Sequence, residues 1–112
     1  KDIQEVLFLD TEKHILEGAT SNIFFYRGNE VITPSSGKIL PGIMRKHVID
    51  TLNKNGYVVR ERSIHYDEIK QWQGAFITNS IIEMLPVSKI DRISLSVAGF
   101  KQMYEIVKSH IV

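Results

Sequence analysis

ILEGATSNIFFYRGNEVITP, residues 15–34, sets an acidic residue, a glycine and a cluster of small polar residues ahead of a run of apolar and aromatic ones. Within it, NIFFY (22–26) and EVIT (30–33) are short and rich in β-branched or aromatic residues, so they read as strands. RGNE (27–30) is the hairpin turn between them. Ahead of this hairpin stands Glu17, between an Ile-Leu pair and Gly18. A carboxylate at the edge of a core is costly to desolvate unless it has a partner, and the adjacent glycine lets backbone approach something closely.

Working outward, EVLFL (5–9), VVRE (58–61) and AFIT (75–78) also read as strands. Helical spacing runs from Gly42 to Asn55, where Met44, Val48 and Leu52 recur at i, i+4 and i+8 and Gly56 stops the helix. A second helix is expected from Val97 to Ile111, with Ser96 as N-cap and Phe100, Tyr104, Val107 and Ile111 as its buried stripe. YDEIKQW (66–72) reads as a short helical turn, with Trp72 packing at its rim. The pattern is that of a mixed α/β domain.

Composition narrows what such a domain does. The chain has 112 residues, 43% hydrophobic and 24% charged, which suits a single domain with a real core. Fourteen Lys+Arg against thirteen Asp+Glu leave a net charge of +1, and the basic residues are scattered, so a nucleic-acid footprint is lacking. There is no cysteine, which excludes disulfides and thiolate metal sites and fits a reducing, cytoplasmic setting. No apolar run reaches the roughly 20 residues of a membrane span, and no membrane partner is expected. His14, His47, His65 and His110 show no shared face or ligand spacing, so no metal site is expected. The first residue is Lys1, and IQEVLFL (3–9) reads like the middle of a fold, so the sequence is expected to begin partway through a longer protein.

Three segments carry more chemistry than packing requires. EGATSN (17–22) holds the carboxylate already described, which taken alone reads as a surface turn. In ILPGIMRKHV (39–48), Pro41 and Gly42 stand just ahead of the helix, so the free amides of Gly42, Ile43 and Met44 point out of an N-terminus that favours an anion. Its ordinary reading is a proline-initiated helix. Arg45, in the first turn, is placed either to touch that anion or to form a salt bridge. FITNSIIEMLPV (76–87) ends a strand in Thr78, Asn79 and Ser80, offering hydroxyls, an amide and backbone donors at one point. Turn residues after a strand would look the same.

In this order and at this spacing, LFLDTEKHILEGATSNIFF, TPSSGKILPGIMR and FITNSIIEMLPV together resemble the class IV aminotransferase family, the fold-type IV pyridoxal-phosphate enzymes, over about residues 5 to 90. The resemblance implies the C-terminal large domain of the D-amino-acid aminotransferase-like fold, a β pseudo-barrel flanked by helices, with residues 1–112 forming a cofactor-binding domain. It implies pyridoxal 5'-phosphate as cofactor, with Glu17 pairing with the protonated pyridine nitrogen and keeping the ring an electron sink. It places Ile43 and Met44 on the phosphate through their amides, Leu40 on the ring face, Asn79 and Ser80 at the phosphate, and Thr20, Ser21 and Asn22 around the cofactor. A small-molecule substrate and a homodimer are implied as well.

The sequence departs from the family in two places. Met44 stands where the family usually has threonine, so one hydroxyl contact is lost while the amide remains. The Schiff-base lysine lies further upstream than the sixteen residues that precede Glu17, so no catalytic residue is expected in this chain and the small N-terminal domain is missing from it. Within the family, the TNS run followed by E and LPV looks most like aminodeoxychorismate lyase, which releases pyruvate from 4-amino-4-deoxychorismate to give p-aminobenzoate for folate synthesis. A D-amino-acid or branched-chain aminotransferase is the alternative, and a non-catalytic phosphate-ligand module is the alternative of another class.

Overall fold

A computed structural model of the chain describes residues 3–5, 7–18, 21–35, 43–79 and 84–110, with side chains from residue 9 onward except those of 17, 21 and 79. In chain order the elements are β1 (Ile3–Glu5), β2 (Leu7–Leu9), β3 (Ile15–Gly18), β4 (Ser21–Arg27), β5 (Glu30–Thr33), α1 (Ile43–Lys54), β6 (Val58–Glu61), a 3-10 turn (Tyr66–Gln71), β7 (Gly74–Asn79), β8 (Met84–Ile90), β9 (Ile93–Ser94) and α2 (Phe100–Ser109). This is the mixed α/β architecture expected. Among the described residues the strands form a seven-stranded sheet, ordered β1-β8-β7-β4-β5-β6 with β9 on β8, and a two-stranded ladder of β2 and β3.

The hairpin of residues 22–33 forms as read, with Arg27 opposite Glu30 and Phe25 opposite Ile32. Strand β4 is antiparallel to both its neighbours, β5 and β7. Strand β6 is parallel to β5, because α1 carries the chain back to the starting end of the sheet between them.

Strand alternation sends β4 and β7 side chains to two different cores. On one face Phe24, Tyr26, Val31 and Phe76 meet Met44, Val48 and Leu52 of α1 and Met103 and Val107 of α2. Phe24 and Phe76, directly opposite in the ladder, stack with centroids 4.8 Å apart. On the other face Ile23, Phe25, Ala75 and Ile77 meet Ile15 of β3, with Ile64, Ile69 and Trp72 from the segment before β7. Each such aromatic or aliphatic side chain contributes about 1.5–3 kcal/mol when fully buried. The apolar spacing read for α1 is therefore its core face, with Thr51 buried beside it.

Four expectations are corrected. EVLFL is not one strand: β1 pairs with β8 in the main sheet and β2 pairs with β3 in the ladder. The second helix begins at Phe100, with Gly99 as N-cap at φ 87°, a left-handed conformation that a residue with a side chain adopts at a cost. Ser96 instead accepts from the Ala98 amide at 3.1 Å, a local turn that precedes the helix. Of the stripe read for that helix Val107 is buried, Met103 joins it, Phe100 and Tyr104 are half-buried, and Ile111 lies outside the described residues. His14 and His65 share a β-bridge with their rings edge to face at 5.7 Å, where no common face was expected; no metal-holding group of His, Asp and Glu occurs among the described residues. The helical turn at 66–72 and the packing of Trp72, with Arg27 stacked on its ring at 4.8 Å, are as read. No helix among the described residues is long and apolar enough to cross a membrane.

Gly74 opens β7 at a close approach: a Cβ there would lie 2.5 Å from both the Ser96 carbonyl oxygen and the Tyr26 hydroxyl. That hydroxyl donates to the Ala98 carbonyl at 2.8 Å, so it is held in place. Gly74→Ala should therefore destabilise the fold by about 1–3 kcal/mol, the usual range for overpacking. Urea unfolding of the variant measures this, and an unchanged midpoint would show that the β7 entry is looser than these contacts require.

Candidate functional site

The strand directions bring one end of the sheet together. Because β4 runs antiparallel to β5 and β7, its first residues lie beside the last residues of both; β6, parallel to β5, ends there too. Ser21 faces Asn79 and Asn22 faces Thr78 across the β4–β7 ladder. The start of α1 is at the same end, since Arg45 in its first turn donates to the carbonyl of Pro34, just past β5, at 2.9 Å. The middle of β4 and β7 is apolar on both faces, and their shared end is polar.

Alternation puts Asn22 and Thr78 on the same face as Phe24 and Phe76, the helix-covered one. Asn22 is buried, and Thr78 is fully buried with no hydrogen-bond partner for its hydroxyl among the described residues. A buried hydroxyl without a partner costs about 1–3 kcal/mol. Thr33, on the neighbouring strand, is equally buried but donates to the Ile23 carbonyl at 2.6 Å. The contrast leaves Thr78 an open valence at this end of the sheet among the described residues.

Helix α1 supplies the second component. Its first residue, Ile43, is 94% exposed while Met44 is buried in the helix-side core. The first-turn amides have no intrahelical partner, and the dipole favours an anion beside them. Met44 thus keeps its backbone at the helix start while its side chain packs inward.

Glu17 lies on β3, opposite Phe8, and only four residues before Ser21. At 3.8 Å per residue its Cα is within about 15 Å of that of Ser21. The strand is seated on the rest of the molecule by Ile15, whose amide donates to Ile64 at 2.7 Å, and by Tyr66, whose amide donates to Lys13 at 2.8 Å. The turn that carries Tyr66 is closed by a capping box between His65 and Glu68. Glu68 also takes Arg62 at 2.8 Å, and that guanidinium holds its carboxyl below the usual range despite partial burial.

Of the expected site residues, the structure therefore unites the backbones of Ser21 and Asn79 with Asn22, Ile43 and Met44 at one end of the sheet. The side chains of Glu17, Ser21 and Asn79 and the whole of Thr20, Leu40 and Ser80 lie outside the described part. The sequence reading named Thr78 with Asn79 and Ser80 at the end of this strand, and its two-residue offset from Phe76 places it on the helix-covered face. Arg45 is ion-paired, to Glu61 at 2.9 Å.

The family profile of class IV amino-transferases matches residues 1–90. The chain belongs to the class IV aminotransferase family. Among curated class IV relatives, branched-chain amino acid aminotransferase 2 of Humulus lupulus is 39% identical over 89 residues, covering 77% of this chain and 22% of that protein. An aminotransferase from Brucella abortus, solved with the cofactor PLP bound, superposes with a TM-score of 0.84 at 29% identity, covering 94% of this chain and 38% of its own. A Legionella pneumophila protein provisionally named a 4-amino-4-deoxychorismate lyase gives 0.85 at 28% identity, covering 94% and 40%. The chain spans well under half the length of each.

Removing the Thr78 hydroxyl tests whether it is unsatisfied. Thr78→Val keeps the shape, so the ligand-free protein should lose less than about 0.5 kcal/mol or gain stability, since no protein hydrogen bond is broken. Chemical unfolding without ligand measures this; a loss above about 1 kcal/mol would mean that the hydroxyl has an internal partner.

Proposed function

We propose that this chain is the cofactor-binding domain of a pyridoxal 5'-phosphate-dependent enzyme that transfers the amino group of branched-chain amino acids. The observation that carries the cofactor reading is the polar sheet end. It combines a buried hydroxyl with no partner among the described residues, a buried amide and an exposed helix start, which together fit a phosphate. The substrate reading rests on the curated relatives, which at 32% to 39% identity are named branched-chain aminotransferases.

Class IV aminotransferases use pyridoxal 5'-phosphate, which supplies an electron sink for charge developing at the substrate α-carbon. The residues of this chain hold it and set its charge. The amides of Ile43 and Met44 and the hydroxyls of Thr78 and Ser80 would hold the phosphate, with Asn79 beside them. The Glu17 carboxylate would accept from the protonated ring nitrogen and keep the proton there, and the positive ring would offset the cost of burying that carboxylate. Leu40 would cover a ring face and exclude water, and Thr20, Ser21 and Asn22 would orient Glu17. The lysine that anchors the cofactor and the groups that choose the substrate belong to the rest of the enzyme, a homodimer in this reading.

A second reading is a 4-amino-4-deoxychorismate lyase. The run TNSIIE (78–83) and the Legionella likeness favour it. Full-length protein loaded with pyridoxal 5'-phosphate separates the two. Formation of an amino acid from a 2-oxo acid with L-leucine as donor supports the aminotransferase, and pyruvate release from 4-amino-4-deoxychorismate alone replaces it with the lyase. Neither activity in a protein that does not bind the cofactor would leave a non-catalytic module.

In the active protein, Glu17→Gln should lower turnover by about a hundredfold, because a charge-assisted bond is roughly twice as strong as a neutral one and each 1.4 kcal/mol is a factor of ten. Cofactor affinity should fall far less. Unchanged turnover with weakened folding would make Glu17 a structural carboxylate.

A further inference from the structure

Arg45 stands in the first turn of α1, where a cation opposes the helix dipole, and no acidic residue in that turn offsets it. Its side chain is only 12% exposed. One guanidinium nitrogen, Nη2, donates to two acceptors at 2.9 Å each, the Pro34 carbonyl and the Glu61 carboxylate. Its Nε is buried with no partner among the described residues. Helix stability accounts for none of this, since position, desolvation and the idle donor are all unfavourable to it.

What the contacts share is their place. Pro34 is the first residue past β5, Glu61 is the last residue of β6, and Thr33 and Glu61 are register partners in the parallel pair. Arg45 thus ties the first turn of α1 to the ends of the two strands that the helix connects. The amide of Arg62 donating to the Thr33 carbonyl at 3.1 Å closes the same strand ends from the other side. One residue before Arg45 is Met44, whose amide is assigned to the phosphate.

We infer that Arg45 is a positioning residue for the phosphate end of the cofactor: with Pro34 and Glu61 it latches the start of α1 to the ends of β5 and β6, so that the Ile43 and Met44 amides are held at a fixed distance from the end of β7. The inference rests on the cofactor reading above. It assigns Arg45 no contact with the phosphate. A helix start free to rock by a fraction of an ångström would still fold, because Met44, Val48 and Leu52 anchor its core face, but it would bind the anion less well.

The test compares two ligands on the full-length protein, pyridoxal 5'-phosphate and pyridoxal, which differ in the phosphate alone. Dissociation constants from difference absorbance are measured for the unaltered protein and for R45M, R45K and E61A, with melting of the ligand-free proteins alongside. The ratio of the two constants reports the phosphate contribution. R45M should reduce this ratio by about tenfold or more, the scale of one hydrogen bond to a charged group, with pyridoxal affinity unchanged. R45K, whose ammonium can serve both acceptors, should recover part of it. E61A, a change at a half-exposed residue, should reduce it by about threefold, in line with a surface ion pair.

A folded R45M with an unchanged ratio overturns the inference. So does an equal loss of affinity for both ligands accompanied by lower melting, since that marks a purely structural salt bridge. If R45M does not fold, E61A decides, and an unchanged ratio there overturns it as well. An unaltered protein that binds pyridoxal as tightly as its phosphate refutes the cofactor reading itself, and this inference with it.

Discussion

Six consecutive residue pairs between β4 and β7, from Ser21 opposite Asn79 to Tyr26 opposite Gly74, are the constraint on which the rest of the chain depends. Both strands are central, and their side chains feed both cores. A slip of one residue would move Phe24 and Phe76 to the face of Ile15 and Trp72, and Ile23 and Ile77 under the helices. Gly74 pins the register at one end, because only a residue without a Cβ fits between Tyr26 and the Ser96 carbonyl. The stacked pair of Phe24 and Phe76 pins the middle.

The same register builds the site at the other end. Past Phe24 and Phe76 the helix-side face turns from aromatic to polar, at Asn22 and Thr78, where the α1 first turn arrives. The apolar core and the polar end proposed to hold an anion are thus two ends of one ladder. The βαβ crossover supplies the helix dipole at the carboxyl ends of parallel strands, where open α/β sheets commonly bind ligands. The class IV family match covers this whole arrangement, since it extends over residues 1–90.

Much of this was legible in local pattern. EVIT and VVRE form strands over the residues read, and Met44, Val48 and Leu52 gave the α1 core face from spacing alone. Strand β3 was passed over because ILEG is four residues long and carries a carboxylate. Strand β8 was passed over because Pro86 argues against a central strand. Among the described residues β1 pairs with β8 from Val87 onward, past Pro86. The early start read for α2 followed Ser96 as a cap, but its hydroxyl serves the Ala98 amide and Gly99 takes the cap position. The His14–His65 bridge and the Arg45–Glu61 pair join residues 51 and 16 positions apart, and no local pattern encodes such contacts. The motif residues Ser21, Asn22, Ile43, Met44 and Asn79 lie at one end of the sheet, as does Thr78, whose hydroxyl has no partner among the described residues.

The central claim is that this polar end of the β4–β7 ladder is where the phosphate of pyridoxal 5'-phosphate rests. A crystal structure of the full-length protein grown with the cofactor tests it most directly. The account predicts phosphate oxygens within hydrogen-bonding distance of the Met44 amide and the Thr78 hydroxyl, and the Glu17 carboxylate at the ring nitrogen. A cofactor phosphate bound away from the start of α1, or a Glu17 carboxylate directed into solvent, would contradict it.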